Sequence, residues 1–440
     1  MNALDPETHY CELLELTGTL MNNQLAPGVE KARFLDVLER GVPEFDRLLL
    51  PAWQTVVVTG GSGCIGHAVL SQLTEHLPNC WFFSISRRPP SPGRRLPGVK
   101  YLAGDVRDYP RMTQIMTDLK PDLVVHLAAQ RDPGKAEREM GETISTNVFG
   151  SSVVLRASGE AGVPTFVLAS TGKAVRLFTS DVYAATKKMA EYQAAAAGHQ
   201  YRMKVASVRF THVVDNSLIR IFMEDWMRKG EPMKIHSPYV MLPIQSALEC
   251  YHLLMMAGRH AELDHPKTLA IRDLGWPPVK LLDMALDYLR DADPSGPRCP
   301  IHFTGYPAGY EEYAYPGTYD PMTAGEVSPL INCLEAERTQ PTDCLGGFLD
   351  EWEYTDGTAK CMDAALSDLN KDCAMGVADM DLAEKLSFCS ETLLDHAMAQ
   401  ADTKRLARIH RFGERHDPAV KDHAFIHAQL TSMLESRDGQ

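Results

Sequence analysis

The chain has 440 residues, 44% of them hydrophobic and 23% charged, with a formal net charge of -14. That length and composition belong to a globular protein larger than one average domain, and the negative balance argues against a nucleic-acid surface, which needs clustered Lys and Arg. No run approaches the roughly 18 apolar residues that cross a bilayer, and the start lacks a basic-then-apolar signal pattern, so a cytoplasmic protein with no membrane partner is expected.

Residues 1–50 carry two short helical patterns, about Glu7 to Met21 and Val29 to Arg40, for which a packing or dimer-forming role is expected. From Trp53 the pattern alternates. A β-branched run, Val56 to Thr59, leads through a glycine turn into a helix. Trp81 to Ile85 reads as a strand, Met112 to Leu119 as a helix and Leu123 to His126 as a strand. A helix near Asn147 to Ala161, a strand at Thr165 to Leu168 and a helix from Tyr183 to Ala197 follow. Such alternation predicts an α/β fold, a Rossmann-type doubly wound parallel sheet with ligands at the carboxyl ends of its strands.

The expected layout is a helical extension at 1–50, a core at 51–320 and a helical appendage at 321–440. Within the core, 51–205 is the cofactor domain and 206–320 the smaller substrate domain. The appendage shows amphipathic patterns near Thr358 to Leu369, Ala383 to Gln400 and His423 to Leu434, and is expected to pack on the substrate domain or another subunit. The ten cysteines include no CxxC pair, so reduced thiols and no metal are expected. His423 and His427, one helical turn apart, are read as a packing pair rather than metal ligands.

The turn after the first strand has the spacing Gly60-x-x-Gly63-x-x-Gly66. Gly60 permits a sharp turn, Gly63 lets backbone approach phosphates, and Gly66 lets the helix pack close to the strand. With Cys64 and Ile65 these residues form a pyrophosphate site at a helix N-terminus. After the second strand, Ser86 and Arg87 stand where an acid would favour NAD; they fit a 2′-phosphate, so NADP is expected, with NAD possible. The alternative is a solvated loop shared with Arg94 and Arg95. Asp105 and Val106 follow the third strand, with Asp105 a candidate acceptor for the adenine amino group, and the small Ala128 and Ala129 follow the fourth. Asn147 completes the expected cofactor set.

Downstream lie Ser170-Thr171-Gly172-Lys173 and then Tyr183-x-x-x-Lys187. Residues four apart share a helix face. A phenol is a poor base at neutral pH, so Lys187 is expected to lower the Tyr183 pKa while Tyr183 exchanges a proton with a substrate hydroxyl.

These residues resemble the extended short-chain dehydrogenase/reductase superfamily, and more narrowly the nucleotide-sugar 4,6-dehydratases of polysaccharide biosynthesis. The likeness runs from about Val42 to Glu312. It includes the glycine turn, Thr146 to Gly150, Ser170 to Val175, Tyr183 with Lys187, Val208 to Ser217, Asp273 to Lys280 and Ile301 to Gly305. The resemblance implies hydride abstraction from C4 of a nucleotide-linked sugar, with Thr171, Lys173, Tyr183 and Lys187 catalytic. It also implies Arg131, Thr171, His212 and Tyr239 as substrate contacts, and a homo-oligomer. The family's Asp-Lys pair here reads Gly172-Lys173, and two cations of a later loop are replaced in Tyr306 to Glu312. Lys173 can still act at the carbon next to a transient ketone, but Gly172 has no acid to offer.

Dehydration and epimerisation therefore both stay open. A dehydrogenase or ketoreductase acting on a nucleoside or another specialised metabolite is the second enzyme reading. A non-catalytic cofactor-binding protein is the third. The tyrosines at 306, 310, 313, 315 and 319 are either an aromatic lid or a loop core.

Overall fold

In the computed structural model of the chain, the structure describes residues 6–42, 45, 49–215, 218–271, 278–310, 330–341, 346–351, 354–413 and 421–438. The segments 216–217, 273–277 and 311–312, together with Tyr313, Tyr315 and Tyr319, lie outside the described residues. The chain divides into two compact units, each assembled from separated stretches of sequence.

The larger unit comprises Val42–Phe210, Cys250–Asp273 and Tyr315–Gln440. Its sheet is built from β1 (Thr55–Thr59), β2 (Trp81–Ser86), β3 (Val99–Ala103), β4 (Leu123–His126), β5 (Thr165–Ala169) and β6 (Lys204–Arg209). Three further strands, β7 (Lys267–Ile271), β8 (Thr339–Pro341) and β9 (Gly346–Asp350), complete it. The order is β8-β9-β7-β6-β5-β4-β1-β2-β3, parallel from β7 to β3, with β9 and β8 added antiparallel. Its central part, 3-2-1-4-5-6, is the Rossmann order, and the crevice where the order reverses, between β1 and β4, is the ligand position of such sheets. Strands β1 and β5 are buried on both faces, which is why they read as continuous apolar runs rather than alternating ones.

Helices α1 (Cys64–His76), α2 (Tyr109–Leu119), α3 (Gly150–Glu160) and α4 (Val182–Tyr201) follow β1, β3, β4 and β5. Met112, Ile115 and Met116 of α2, Val154 and Leu155 of α3, and Ala190 and Ala194 of α4 pack on Val57, Phe83, Val124, Phe166 and Leu168 of the strands.

Helix α4 is buried nearly all round, as expected for a helix covered on both sides. Its second face, with Val182, Ala185, Met189 and Tyr192, packs on α5 (Asp356–Met375) and α6 (Asp379–Gln400) through Met362, Leu366, Leu386, Cys389 and Leu393. Each such fully buried side chain contributes about 1.5–3 kcal/mol. The appendage thus belongs to the cofactor unit rather than to the substrate domain expected from sequence. It also holds β8, β9 and an additional helix, α7 (Thr403–Gly413), before α8 (Lys421–Asp438). His427 of α8 stacks on His410 of α7, 4.3 Å between ring centroids.

The smaller unit comprises Met1–Gly41, Thr211–Glu249 and Leu274–Ala314. The N-terminal helices Pro6–Asn23 and Val29–Asp36 are not a separate extension: Met21 and Phe34 share a core with Met284, Leu286 and Leu289 of the helix Leu281–Ala292. Buried Asp287 fixes the join, accepting from Gly28 N (2.7 Å), Lys31 N (3.1 Å) and Gln24 Nε2 (2.8 Å). That carboxylate sits at a helix N-terminus, where negative charge is favoured. Among the described residues no helix is long and apolar enough to cross a membrane.

Candidate active site

At the carboxyl end of β1, Gly60 takes φ +72°, and a Cβ there would meet Ala128 N at 2.8 Å. A Cβ on Gly66 would meet Gly60 O at 2.4 Å, so the first turn of α1 lies directly on the β1 backbone. Gly63 is the N-cap of α1, with no side-chain cap. Cys64 and Ile65 form the first helical positions, half-buried. This is a closely packed, glycine-rich turn opening onto a helix N-terminus, a geometry that suits a pyrophosphate.

His126 locks the neighbouring strand end. Its Nδ1 is 2.7 Å from Thr59 Oγ1 and its Nε2 is 3.0 Å from Ser151 Oγ. Burial, with the charge of Lys187, pushes it down to about 3, so the imidazole is neutral. Thr59 Oγ1 in turn accepts from Leu127 N and Ala128 N, shaping the segment that carries Ala128 and Ala129.

The polar residues expected to hold the adenosine end are engaged with one another. Asp105 accepts from Arg107 Nε (3.0 Å) and Nη2 (2.7 Å), and this pairing holds its carboxyl below the usual range. Arg107 also binds Glu142 at 2.7 Å, and Arg87 binds Glu142 at 3.2 Å. The Ser86 Oγ beside them is buried and has no partner among the described residues. Val106 is a core residue.

Asn147 lies in a π-type turn, Ser145–Phe149, that leads into α3. Its Oδ1 accepts from Gln130 N (2.7 Å) and its Nδ2 donates to Gln130 O (3.0 Å) and Thr186 Oγ1 (3.1 Å). Expected to contact the cofactor, Asn147 instead ties the loop after β4 to the helix bearing Tyr183 and Lys187.

The residues expected to react gather at the end of β5. Ser170 N donates to Val208 O and Gly172 N to Phe210 O, extending the β5–β6 ladder past the strands. The Thr171 hydroxyl acts on the Tyr183 phenol, favouring its ionised form. Lys187 Nζ donates to Ala169 O at 2.5 Å, and burial pushes it down to about 8. The Lys187 ammonium, expected to lower the Tyr183 phenol, is engaged with the Ala169 carbonyl. The Tyr183 phenol is raised, first by burial and further by the charge of Asp181, while Thr171 and Arg131 pull it back.

Asp181 is the residue that sequence reasoning missed. It caps α4, accepting from Ala184 N at 2.6 Å, and its Oδ2 is 3.0 Å from Lys173 Nζ and 3.7 Å from Arg176 Nη1. An Asp three residues before the main-chain donor of a helix start is a capping signal that the pattern Asp181-Val-Tyr183-Ala carries.

At Gly172 a side chain would have to displace the buried Leu330 methyl. A Cβ there would meet Leu330 Cδ2 at 2.8 Å and Phe210 O at 3.3 Å. The same C-terminal segment is bolted on by charge. Arg209, almost fully buried, makes paired bonds to Glu191 of α4 and to Glu335, all between 2.8 and 3.0 Å. Ser170 Oγ donates to Glu191 (2.5 Å), Asn332 Nδ2 to Val175 O (2.9 Å), and Ser180 N and Oγ to Asp422 of α8 (3.1 and 2.7 Å).

His212 and Tyr239 belong to the smaller unit. His212 lies in the two-residue strand His212–Val213, paired with Ile244–Gln245, and Tyr239 is 82% exposed. In that unit the His236 ring lies 5.6 Å from Tyr306 and 4.7 Å from Tyr310.

The model of a family described as polysaccharide biosynthesis protein matches residues 56–315. The probable polysaccharide biosynthesis protein EpsC of Bacillus subtilis (strain 168) is 28% identical over 295 residues, covering 64% of this chain and 48% of EpsC. A UDP-glucose 4-epimerase of Rickettsia canadensis (strain McKiel) is 28% identical over 220 residues, 47% of this chain and 63% of that protein. The chain therefore spans about half the length of EpsC and under two thirds of the epimerase. The solved structure of Pen from Bacillus thuringiensis shares the fold, with TM-score 0.56 and 21% identity over 68% of this chain and 88% of Pen. With its glycine turn, its β5 loop and more than half of its length inside the match, the chain belongs to the polysaccharide biosynthesis protein family.

Proposed function

We propose that this chain is an NAD(P)-dependent enzyme that modifies a nucleotide-linked sugar, beginning with oxidation of a carbinol, at C4 on the family resemblance. The observation that carries this reading is the convergence of Thr171, Tyr183 and Lys187 at the end of β5, in the same unit as the Gly60–Gly66 cradle.

The residues at the cradle fit a dinucleotide: added Cβ atoms would fill it, and the buried, unpartnered Ser86 Oγ offers a hydrogen bond at the adenosine end. Bound NADP or NAD supplies the hydride acceptor and a positive ring that favours phenolate. Tyr183, its phenol raised by burial, takes the substrate hydroxyl proton only with that assistance and returns it readily in the reverse direction. Thr171 orients the phenol, and Lys187 holds the end of β5 and would bind the cofactor ribose.

The choice of NADP rests on Ser86 and Arg87. A 2′-phosphate would compete with Glu142 for Arg87, which is exposed enough to be redirected.

Epimerisation is favoured over dehydration because Gly172 offers no acid to protonate a departing hydroxyl. The relatives' names, a polysaccharide biosynthesis protein and a UDP-glucose 4-epimerase, support a sugar nucleotide as substrate.

The test is mass spectrometry of UDP-glucose, UDP-N-acetylglucosamine and related sugar nucleotides after incubation with the protein and NADP or NAD in deuterated water. Unchanged constitution with deuterium gained or the C4 configuration inverted supports epimerisation. Loss of about 18 mass units, one water, supports acid-assisted dehydration. No change in any sugar nucleotide would sink the proposal in favour of a nucleoside or other metabolite substrate, or of cofactor binding alone.

A further inference from the structure

We propose that Asp181 is the positioning residue of this site: its carboxylate holds Lys173 as an ion-paired donor beside Tyr183. The inference rests on the reading of Tyr183 and Lys173 as reacting groups, and it goes beyond that reading by naming what sets their charge.

Three observations converge. Position 172 is a glycine packed against Leu330 and the Phe210 carbonyl, and it supplies no side chain. Asp181, 8% exposed, places one oxygen 3.0 Å from Lys173 Nζ while the other caps α4 at 2.6 Å from Ala184 N. The cap fixes the carboxylate to the helix that also carries Tyr183 two residues on, so the ion pair and the phenol move as one piece.

Among the described residues, several further charges lie near this pair. Arg176 lies 3.7 Å from Asp181 Oδ2, and Arg131 and Asp181 act on Tyr183 in opposite directions. Glu137 accepts from Val182 N (2.7 Å), Asp422 accepts from Ser180, and Lys187 is directed to Ala169 O. Of these, Asp181 is the carboxylate within ion-pair distance of Lys173.

The chemical consequence is that Lys173 enters the reaction as a paired ammonium. It can donate to a substrate oxygen next to the carbon that Tyr183 serves. A carboxylate kept on the protein side of the lysine also keeps negative charge away from the anionic diphosphate of a sugar nucleotide.

The experiment uses the full chain with saturating NADP and two cap-preserving variants, Asp181→Asn and Asp181→Ser; Asn and Ser are N-cap residues as good as Asp. The first readout is the rate at which limiting acetic anhydride modifies Lys173, followed by peptide mass spectrometry with the other lysines as internal standards. The second is the ultraviolet titration of Tyr183, isolated by subtracting the matching Tyr183→Phe protein.

Loss of the ion pair should raise Lys173 modification by about fivefold or more, and loss of the negative charge should move the Tyr183 phenol titration to lower pH. If the folded variants leave both readouts at the wild-type values, Asp181 is a helix cap only and the proposal falls. If Asp181→Asn does not fold, Asp181→Ser carries the test. Neither readout needs turnover, so an inert wild-type protein would overturn the functional reading while leaving this one decided on its own result.

Discussion

Restoring an aspartate at position 172, where relatives of the resembling dehydratases carry one, should damage this protein rather than complete its site. Gly172 is buried, and its φ is not positive, so backbone strain is not the obstacle. Space is: the new Cβ would lie 2.8 Å from Leu330 Cδ2, and Leu330 itself is fully buried. Forcing one carbon into such a core costs about 1–3 kcal/mol. A carboxylate buried there without a partner adds about 1–3 kcal/mol more. Gly172→Ala should therefore lower stability by the first amount and Gly172→Asp by roughly the sum, about 2–6 kcal/mol. Leu330→Ala alone should cost about 2–5 kcal/mol through the cavity it leaves. In the Gly172→Ala/Leu330→Ala double variant the added methyl enters that cavity, so the combined loss should fall short of the sum of the two by about 1–2 kcal/mol. Urea unfolding followed by circular dichroism measures all four proteins. A Gly172→Asp protein as stable as wild type, or strict additivity in the double variant, would refute the steric argument.

Removing Glu335 as Glu335→Ala leaves Arg209 buried with half of its paired bonds, which should cost about 3–5 kcal/mol in the same urea assay; a loss below about 1 kcal/mol would mean the guanidinium is served by other groups. Glu351, buried beside the charge of Glu191, is pushed up to about 7 from an ordinary 4.5. The folded chain thus keeps a proton that the unfolded chain releases between those values, so stability should fall as pH rises across that window, and Glu351→Gln should flatten the slope; an unchanged slope contradicts the assignment. Arg87→Ser should weaken NADP binding about tenfold or more, the effect of one charge-assisted contact, and leave NAD binding unchanged; equal effects on both would place Arg87 away from the 2′-phosphate.

Local features of the site were legible because local physics dictates them. The glycine spacing encodes a steric demand between adjacent turns, and the close approach at Gly60 and Gly66 lies within a few residues or at the neighbouring strand end. The strand-helix alternation yields the sheet order because parallel strands need crossover helices. What stayed hidden depends on contacts between distant stretches. Arg209 meets Glu335 across 126 positions, and Ser180 meets Asp422 across 242. No periodicity reports such pairs, so the appendage read as an add-on although it closes position 172 and braces α4.

The unit boundaries were hidden for the same reason. The N-terminal helices cross to the helix Leu281–Ala292 to complete a core, and β7 returns from the expected substrate domain to the main sheet. Electrostatics failed differently. The Tyr183-x-x-x-Lys187 spacing suggests an ammonium beside a phenol, but the lysine donates to Ala169 O, and Asp181 and Arg131 act on the phenol in opposite directions. Spacing locates side chains on a helix face without saying where their tips go.

The central claim is that Tyr183 serves a hydride transfer from a sugar carbinol. Its most direct test is incubation of C4-deuterated UDP-sugars with the protein and oxidised NADP or NAD, followed by mass spectrometry of the recovered cofactor and sugar. The account predicts that deuterium leaves C4, or is returned there with inverted configuration, with wild-type protein, and that Tyr183→Phe slows the transfer by about 10²- to 10⁴-fold. Deuterium retained at C4 with unchanged configuration in every sugar tested, or full transfer by Tyr183→Phe, would contradict it.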